Sequence, residues 1–278
     1  MSTPDASPVS RPFARHSPIF ILILFTAVIF GCGDSPGPES AALLAPSAGT
    51  PDPPSNALPP EGTVVLELDH TVDGSPLVLD QLIYTNAAGN NYSVVLLEYV
   101  ISNLALLPEG GTAGHTVTSP EPRYRSHADP ATRDVVLENV PAGHYSQLRF
   151  TFGLPAEQNV TGAFPELDLL GMAWPQQLGG GYHYMRNEGL TGATPGAFAT
   201  HTGPTQGNDY SIDFDLGVEL SVADAGTTYV TLEMDVNEWY ANPNVYDFND
   251  YGPILGNLTA QQILQANGAD VFSVAPTR

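Results

Sequence analysis

Histidine carries most of the metal-binding chemistry that this chain of 278 residues offers, because it has seven histidines and a single cysteine. Imidazole nitrogen suits copper and zinc, and without thiolates the usual order of affinities places copper highest among divalent first-row ions. Zinc fingers and CxxC redox motifs are excluded, because both need more than one cysteine. The metal ligands open to the chain are therefore histidine, methionine and carboxylate.

Three histidines occupy positions from which a β fold could present them to one ion. His70 ends a strand pattern in phase with the apolar residues before it, which predicts a place on the core face. His201 lies in Thr-His-Thr-Gly, interpreted as a short loop, and His183 stands between two tyrosines in a predicted strand. Each could instead be a structural residue, hydrogen-bonded in the core or exposed. The other four are interpreted as signal, loop or turn residues: His16, His115, His127 and His144.

A tryptophan and two methionines accompany His183 in the sequence. Trp174 precedes Pro175, which disfavours helix, and glycines 179–181 permit close backbone approach. Met172 and Met185 are soft thioethers that could approach a cuprous ion, although packing is the commoner role of methionine. A ligating imidazole usually donates its second N–H to a carboxylate or carbonyl. Three carboxylates are candidates for that role: Asp69, Glu188 and Asp213.

The first 31 residues have the parts of a secretion signal. Arg11 and Arg15 supply the basic stretch, and an apolar run from Ile19 to Phe30 follows, too short for the roughly 20 apolar residues that span a bilayer. The run ends in Ile-Phe-Gly-Cys, a pattern typical of a lipobox, so Cys32 is the predicted lipid attachment point. An uncleaved signal anchor is the alternative. Either topology predicts a domain in the cell envelope, and Gly33 after the cysteine favours the outer membrane.

Composition divides the rest of the chain in two. Residues 32–61 are rich in Pro, Ser, Ala and Gly and predict a flexible tether, which leaves residues 62–278 for one folded domain. The formal net charge is −22 and lysine is absent, so the surface should repel nucleic acid and anionic lipid headgroups. Acidic turns such as Asp247 to Asp250 lack the EF-hand spacing, and no nucleophile elbow, phosphate-binding loop or HExxH motif is present.

Alternating apolar and polar residues predict an all-β domain. Five segments alternate with the period of a half-buried strand: Thr63 to His70, Asp134 to Val140, Tyr145 to Phe152, Tyr210 to Leu220 and Thr228 to Val236. The more apolar stretch from Tyr92 to Leu107 predicts one buried strand or two strands broken near Ser102. A capping box of Thr259 and Gln262 predicts one helix, closed by Gly268. We expect an antiparallel β-sandwich with long loops and a short C-terminal helix.

Three blocks of sequence resemble the MbnP-like family of periplasmic and surface copper-binding proteins, named for a methanobactin-associated member. The first runs from Leu68 to Leu106 and carries the Asp73-Gly74 turn. The second, GMAWPQQLGGGYHYMRNEG, begins at Gly171 and is followed by Phe-Ala-Thr-His-Thr-Gly; the third begins at Met234 with MDVNEWYANPNVYDF. The order of Met, Trp, glycine run, aromatics and Glu-Gly in the second block is the most specific part of the resemblance.

The resemblance implies a secreted β-sandwich that binds one copper ion through imidazoles and through a tryptophan oxidised to kynurenine. It also implies a dihaem peroxidase-like partner that carries out the oxidation. Transferred to matching positions, the metal ligands would be His70, His183 and His201 with Trp174 as the modified residue. Opening of the indole would create an aniline nitrogen and a ketone, which could bind a metal where the intact ring cannot.

The expected function is therefore the capture, storage or delivery of copper at the cell envelope, with no enzymatic activity. An alternative from a different class is a surface module that binds a protein or glycan, with purely structural histidines. That function would place four aromatic residues of the third block on one exposed face: Tyr240, Tyr246, Phe248 and Tyr251. A copper or zinc hydrolase or oxidase is a third hypothesis, but no residue pattern names a substrate or a general base.

Overall fold

The computed structural model describes residues 60–111, 116–192, 196–251 and 254–275. The predicted signal segment, Cys32 and almost all of the predicted tether lie outside them, as does His115. No helix in these ranges combines the length and the apolar character that crossing a bilayer requires. The elements are β1 Glu61–Val72, β2 Ser75–Pro76, β3 Tyr84–Thr85, β4 Asn91–Pro108, β5 Val117–Ser119, β6 Arg123–Ser126, β7 Asp134–Pro141, β8 Gly143–Phe152, α1 Pro165–Leu169, β9 Met185–Thr191, β10 Gly196–Thr202, β11 Ile212–Val222, β12 Thr227–Asp235, α2 Leu258–Asn267 and β13 Phe272–Val274.

The strands form two sheets, which confirms the predicted all-β sandwich. The first has the order β13-β12-β1-β2, with β7 also paired to β1; the second has the order β10-β9-β4-β8-β11, with β3, β5 and β6 also paired to β4. Among the paired strands, β1 and β12 depart from the predicted antiparallel arrangement, because they run parallel. Alternation of residue types reveals a strand but says nothing about the direction of its neighbour.

One face of each long strand supplies the core. In β1 the buried series is Val64, Leu66, Leu68, His70 and Val72, so the strand extends two residues past the predicted end. The interior is rich in aromatic rings, and Phe150 stacks on Phe214 between β8 and β11 with ring centroids 4.8 Å apart. His70 thus enters the interior by the same period-2 alternation that buries its apolar neighbours.

Strand β4 is a single strand of 18 residues in the middle of the second sheet. Its pairing with β8 shifts register between Ser102 and Ala105, where Asn103 has a φ of +53°. The amide side chain of asparagine tolerates this left-handed conformation better than most side chains do, which suits a β-bulge. Of the two predicted alternatives, one strand or two, the structure has one strand with a bulge at the suspected position.

The C-terminal helix is present as α2, but its predicted cap is wrong. The side chain of Asn257, two residues before Thr259, accepts the hydrogen bond from the Ala260 amide at 3.1 Å. Gly268 follows the helix with a right-handed φ of −68°. A Cβ there would lie 2.5 Å from Trp239, so close packing is the reason for glycine at this position.

Candidate metal-binding histidine pairs

The imidazoles of His70 and His127 face each other, with their Nδ1 atoms 2.9 Å apart and their ring centroids 5.0 Å apart. His70 lies on β1 and is 4% exposed, whereas His127 is half-buried in the loop from β6 to β7. A 2.9 Å hydrogen bond from the His127 amide to the carbonyl of Leu97 fixes this loop to β4. The pair therefore joins the two sheets, with one ring inside the core and the other at its margin.

The remaining nitrogens of this pair have partners of their own. His70 Nε2 lies 3.0 Å from the hydroxyl of Tyr99, and the His127 ring donates to the backbone of Leu77. Hydrogen bonds of this kind fix the orientation of an imidazole whose other nitrogen binds a metal. Met234 is the β12 residue in register with His70, and it is fully buried on the same face. A thioether thus lies beside the pair.

Burial keeps both imidazoles of this pair uncharged. It lowers the pKa of His70 well below its ordinary value, and the guanidinium of Arg125 and the ring of His127 lower it further. Burial and Arg125 also lower the pKa of His127. Neutral imidazole is the form that binds metal ions, so both side chains are in the binding form at neutral pH.

A second pair, His183 and His201, has ring centroids 5.2 Å apart. His201 lies in β10, not in a loop as predicted, and its Nε2 donates to Glu188 Oε1 at 2.9 Å. His183 lies just before strand β9 and not in a strand as predicted, and its Nδ1 donates to the carbonyl of Met172 at 3.1 Å. These two hydrogen bonds use His201 Nε2 and His183 Nδ1, so the nitrogens that could face a metal are His201 Nδ1 and His183 Nε2. The His183 ring also interacts with the backbone of Ala173. Glu188, one of the three candidate carboxylates, is thus hydrogen-bonded to a predicted ligand.

Trp174 packs against the second pair. Its ring contacts that of His183 edge to face, with centroids 4.7 Å apart, and the side chain is 2% exposed. A Cβ on Gly203 would overlap Cε3 of the indole, so glycine is required for this packing. Among the described residues the buried indole Nε1 has no hydrogen-bond partner. Burial lowers the pKa of His183 to about 4 and also lowers that of His201, which the carboxylate of Glu188 partly offsets.

The two pairs lie on opposite faces of the second sheet. Tyr99, the partner of His70, and Glu98 are successive residues of β4 and so point to opposite faces. Arg186 of β9 is in register with both Glu98 and His201, which places His201 on the Glu98 face. The structure thus brings together His183, His201 and Trp174 and places His70 elsewhere. No group of three or more His, Cys, Asp or Glu side chains in the described ranges is arranged to hold a metal ion.

His127 is the residue that sequence reasoning missed, because a loop position in a polar segment predicts exposure. The Arg-Tyr-Arg-Ser segment before it is strand β6, which was not predicted. This strand pairs Arg125 with Tyr99, and the loop then turns back to β4. The feature that could have indicated the burial of His127 is Arg125, two residues earlier. Arg125 is 3% exposed, but its residue type does not reveal that it is buried.

The sequence model of the MbnP family matches residues 61–255, which is most of the chain. This chain belongs to the MbnP family. Among solved structures, MbnP from Methylosinus trichosporium is similar with a TM-score of 0.50 and 12% identity, covering 78% of this chain and 99% of that one. At this identity the match supports the fold alone. A comparison with curated proteins found no match.

The third block tests the alternative of an exposed binding face. The aromatic residues that a surface module would expose lie instead in the core, since Tyr240, Tyr246 and Phe248 are at most 8% exposed. Phe248 stacks on Phe198 of β10 at 4.3 Å, and Tyr251 stacks on Tyr246 at 4.6 Å. The feature expected of a protein-binding or glycan-binding face is therefore absent from this segment.

Proposed function

We propose that this MbnP-family chain binds copper at the cell envelope, for capture, storage or delivery, and that His70 and His127 are the ligands. The facing Nδ1 atoms, 2.9 Å apart, carry the proposal. Two imidazole nitrogens that share one tetrahedral ion lie slightly farther apart than this, so the pair has to open a little to admit copper. Because His127 is only half-buried, rotation of its ring can supply that movement without displacing strand β1.

The chemistry of the donor set favours copper. The two imidazoles and the adjacent thioether of Met234 are donors that suit copper, and no thiolate competes within the pair. Binding through both Nδ1 atoms requires His70 to carry its proton on Nε2, from which it would donate to the hydroxyl oxygen of Tyr99. When both imidazoles are neutral at the start, copper binding therefore moves the proton of His70 from Nδ1 to Nε2 and releases no proton.

The second pair is a further candidate position for the ion. A centroid separation of 5.2 Å between His183 and His201 is compatible with two imidazoles on one tetrahedral ion. Its outer nitrogens are held by Glu188 and by a backbone carbonyl, the pattern that orients metal-binding histidines. Trp174 would join this site only after oxidation to kynurenine by a dihaem peroxidase-like partner.

Export and anchoring are part of the same proposal. The lipobox ending in Cys32 would tether the domain to the envelope through residues 32–61. A copper carrier outside the cytoplasm agrees with a chain that has one cysteine, since disulfide exchange cannot inactivate a histidine pair. Palmitate labelling of cells that express the chain, with Cys32→Ala as the control, tests the anchor: label retained in the variant would refute it.

Two matched double variants test the copper proposal and locate the ion. Purified protein is titrated with Cu⁺ against a chromophoric chelator, and bound copper is counted by elemental analysis. His70→Ala with His127→Ala should abolish tight binding, whereas His183→Ala with His201→Ala should leave it within about threefold. Tyr99→Phe, which keeps the ring and removes the hydroxyl that holds His70, should weaken binding about tenfold.

The opposite pattern, loss only in the second double variant, would place copper on the residues that the sequence predicted. Wild-type protein that retains no stoichiometric copper against the chelator would refute copper binding altogether. Mass spectrometry of the peptide containing Trp174, from protein made with and without its native neighbours, tests the oxidation separately. Identical unmodified masses from both sources would refute it.

A further inference from the structure

A buried arginine lies against the His70–His127 pair. Arg125 is 3% exposed and is the β6 residue in register with Tyr99, whose hydroxyl contacts His70. Its Nε donates at 3.0 Å to the carbonyl of Leu68, two residues before His70, and it stands two residues before His127. The guanidinium is thus held close to both histidines. It hydrogen bonds to β1 near His70, and its own backbone leads into the loop that carries His127.

The charge of Arg125 stays in place because the groups that hold it are neutral. Besides Leu68, its guanidinium donates to the carbonyls of Ser126 and Asp129 and to the hydroxyl of Thr132. Asp69 acts on it through space, but both oxygens of that carboxylate also accept from Arg133 at 2.7 and 3.0 Å.

We propose that Arg125 makes the His70–His127 pair selective for the monovalent ion Cu⁺ over Cu²⁺ and Zn²⁺. This inference rests on the proposed copper function of the pair. Repulsion between a fixed positive charge and a bound ion grows in proportion to the charge of the ion, so a divalent ion is penalised twice as much as a monovalent one. The thioether of Met234 beside His70 acts in the same direction, because soft sulfur ligands favour Cu⁺.

The carboxylate next to His70 in β1 is bound by a different arginine. Both oxygens of Asp69 accept hydrogen bonds from Arg133. Arg125 instead hydrogen bonds to backbone carbonyls and to a hydroxyl, which are neutral. Its positive charge, held against the pair, is unfavourable for a divalent ion.

The test measures affinity for Cu⁺ and for Cu²⁺ in separate chelator competitions and compares their ratio across four variants. Arg125→Gln removes the charge and keeps a donor, so the ratio should shift towards Cu²⁺ by about tenfold, or about 60 mV in the reduction potential of the bound ion. Arg125→Lys retains the charge and should leave the ratio near that of wild type. Thr132→Asp keeps Arg125 but sets a carboxylate against it, and should shift the ratio in the same direction as Arg125→Gln. Arg149→Gln, in an exposed ion pair with Asp215, controls for net charge.

Folding of each variant is checked by circular dichroism, and Thr132→Asp preserves the test if Arg125→Gln fails to fold. A ratio within twofold of wild type in the folded charge-removing variants would overturn the role of Arg125 while copper binding stands. Absence of any Cu⁺ binding in the wild type, or binding unaffected by removal of both histidines, would instead refute the proposed function. An equal shift in Arg149→Gln would also overturn the inference, by assigning the effect to overall charge.

Discussion

Replacing His183 by glutamine should make the stability of the metal-free protein less sensitive to acid. Burial lowers the pKa of this imidazole to about 4 in the folded protein, against 6.5 for the unfolded chain. Between these values the unfolded chain binds a proton that the folded protein does not, so the free energy of unfolding falls as the pH falls. The contribution of His183 is fully present above pH 6.5 and is lost progressively towards pH 4.

The magnitude follows from the two pKa values. A shift of this size corresponds to about 3 kcal/mol in the low-pH limit, and by pH 4.5 about 2.5 kcal/mol of it should be lost. Burial also lowers the pKa of His70, His127 and His201, and these residues are present in both wild type and variant. The fall in unfolding free energy between pH 8 and pH 4.5 should therefore be about 2.5 kcal/mol smaller in His183→Gln.

Urea denaturation at the two pH values, with a chelator present, measures this difference. Because urea slopes of about 1–3 kcal/mol/M are usual, the midpoints should differ by about 1 M. The matched control is His144→Gln, at an exposed histidine in a strand, which should reproduce the wild-type profile. Parallel pH profiles for wild type and His183→Gln would show that the folded protein admits a proton at His183, and would refute the assignment of a buried, neutral imidazole there.

Three further substitutions test how the fold supports the pairs. Gly189→Ala drives a Cβ into the carbonyl oxygen of Ser93, so thermal denaturation should show a loss of about 3 kcal/mol or more, whereas Gly217→Ala, whose Cβ would lie in open space, should change stability little. Arg133→Gln removes the cation that faces three carboxylates of β1 and β7; it should cost about 1 kcal/mol at low salt and less at high salt. Asn257→Ala should cost about 1 kcal/mol through loss of the helix cap, and an unchanged urea midpoint would contradict that role.

The strands that could be predicted from the sequence are those with one buried face. In β1 and β12 apolar residues alternate with polar ones, so period and residue type agree. Strands β9 and β10 were difficult to predict because each has one large apolar residue at a buried position, Met185 or Phe198, and its other buried positions are occupied by polar or small residues. Asn187 and Thr200 are buried and both hydrogen bond to the hydroxyl of Tyr240. A buried polar residue that is satisfied by a distant partner leaves no trace in the local pattern.

The composition of the histidine clusters depends on contacts between distant segments. The proximity of Trp174 to His183 follows from a local hairpin, in which Trp174 N donates to Gly181 O at 2.8 Å. The proximity of His70 to His127 depends instead on strand β6 and on the turn back to β4. Their separation along the chain, 57 residues, is not a spacing that any local motif encodes. The sequence analysis therefore grouped His70 with residues that the structure places elsewhere, although it correctly predicted that His70 lies on the core face of its strand.

The difference in exposure between the two rings of the first pair determines the order in which they can meet an ion. His70 is inside the core and is reached through its partner, whereas His127 is half-buried at the margin. An arriving ion must therefore contact His127 first. The imidazole of His70 then replaces water molecules that are still bound to the ion. The loop that carries His127 is stabilised by Thr132, which accepts from the Ser126 amide and donates to the Asp129 carbonyl. Under the proposed function, copper would leave by movement of the His127 ring or of its loop, because the core strand that bears His70 cannot move without breaking its pairing with β12.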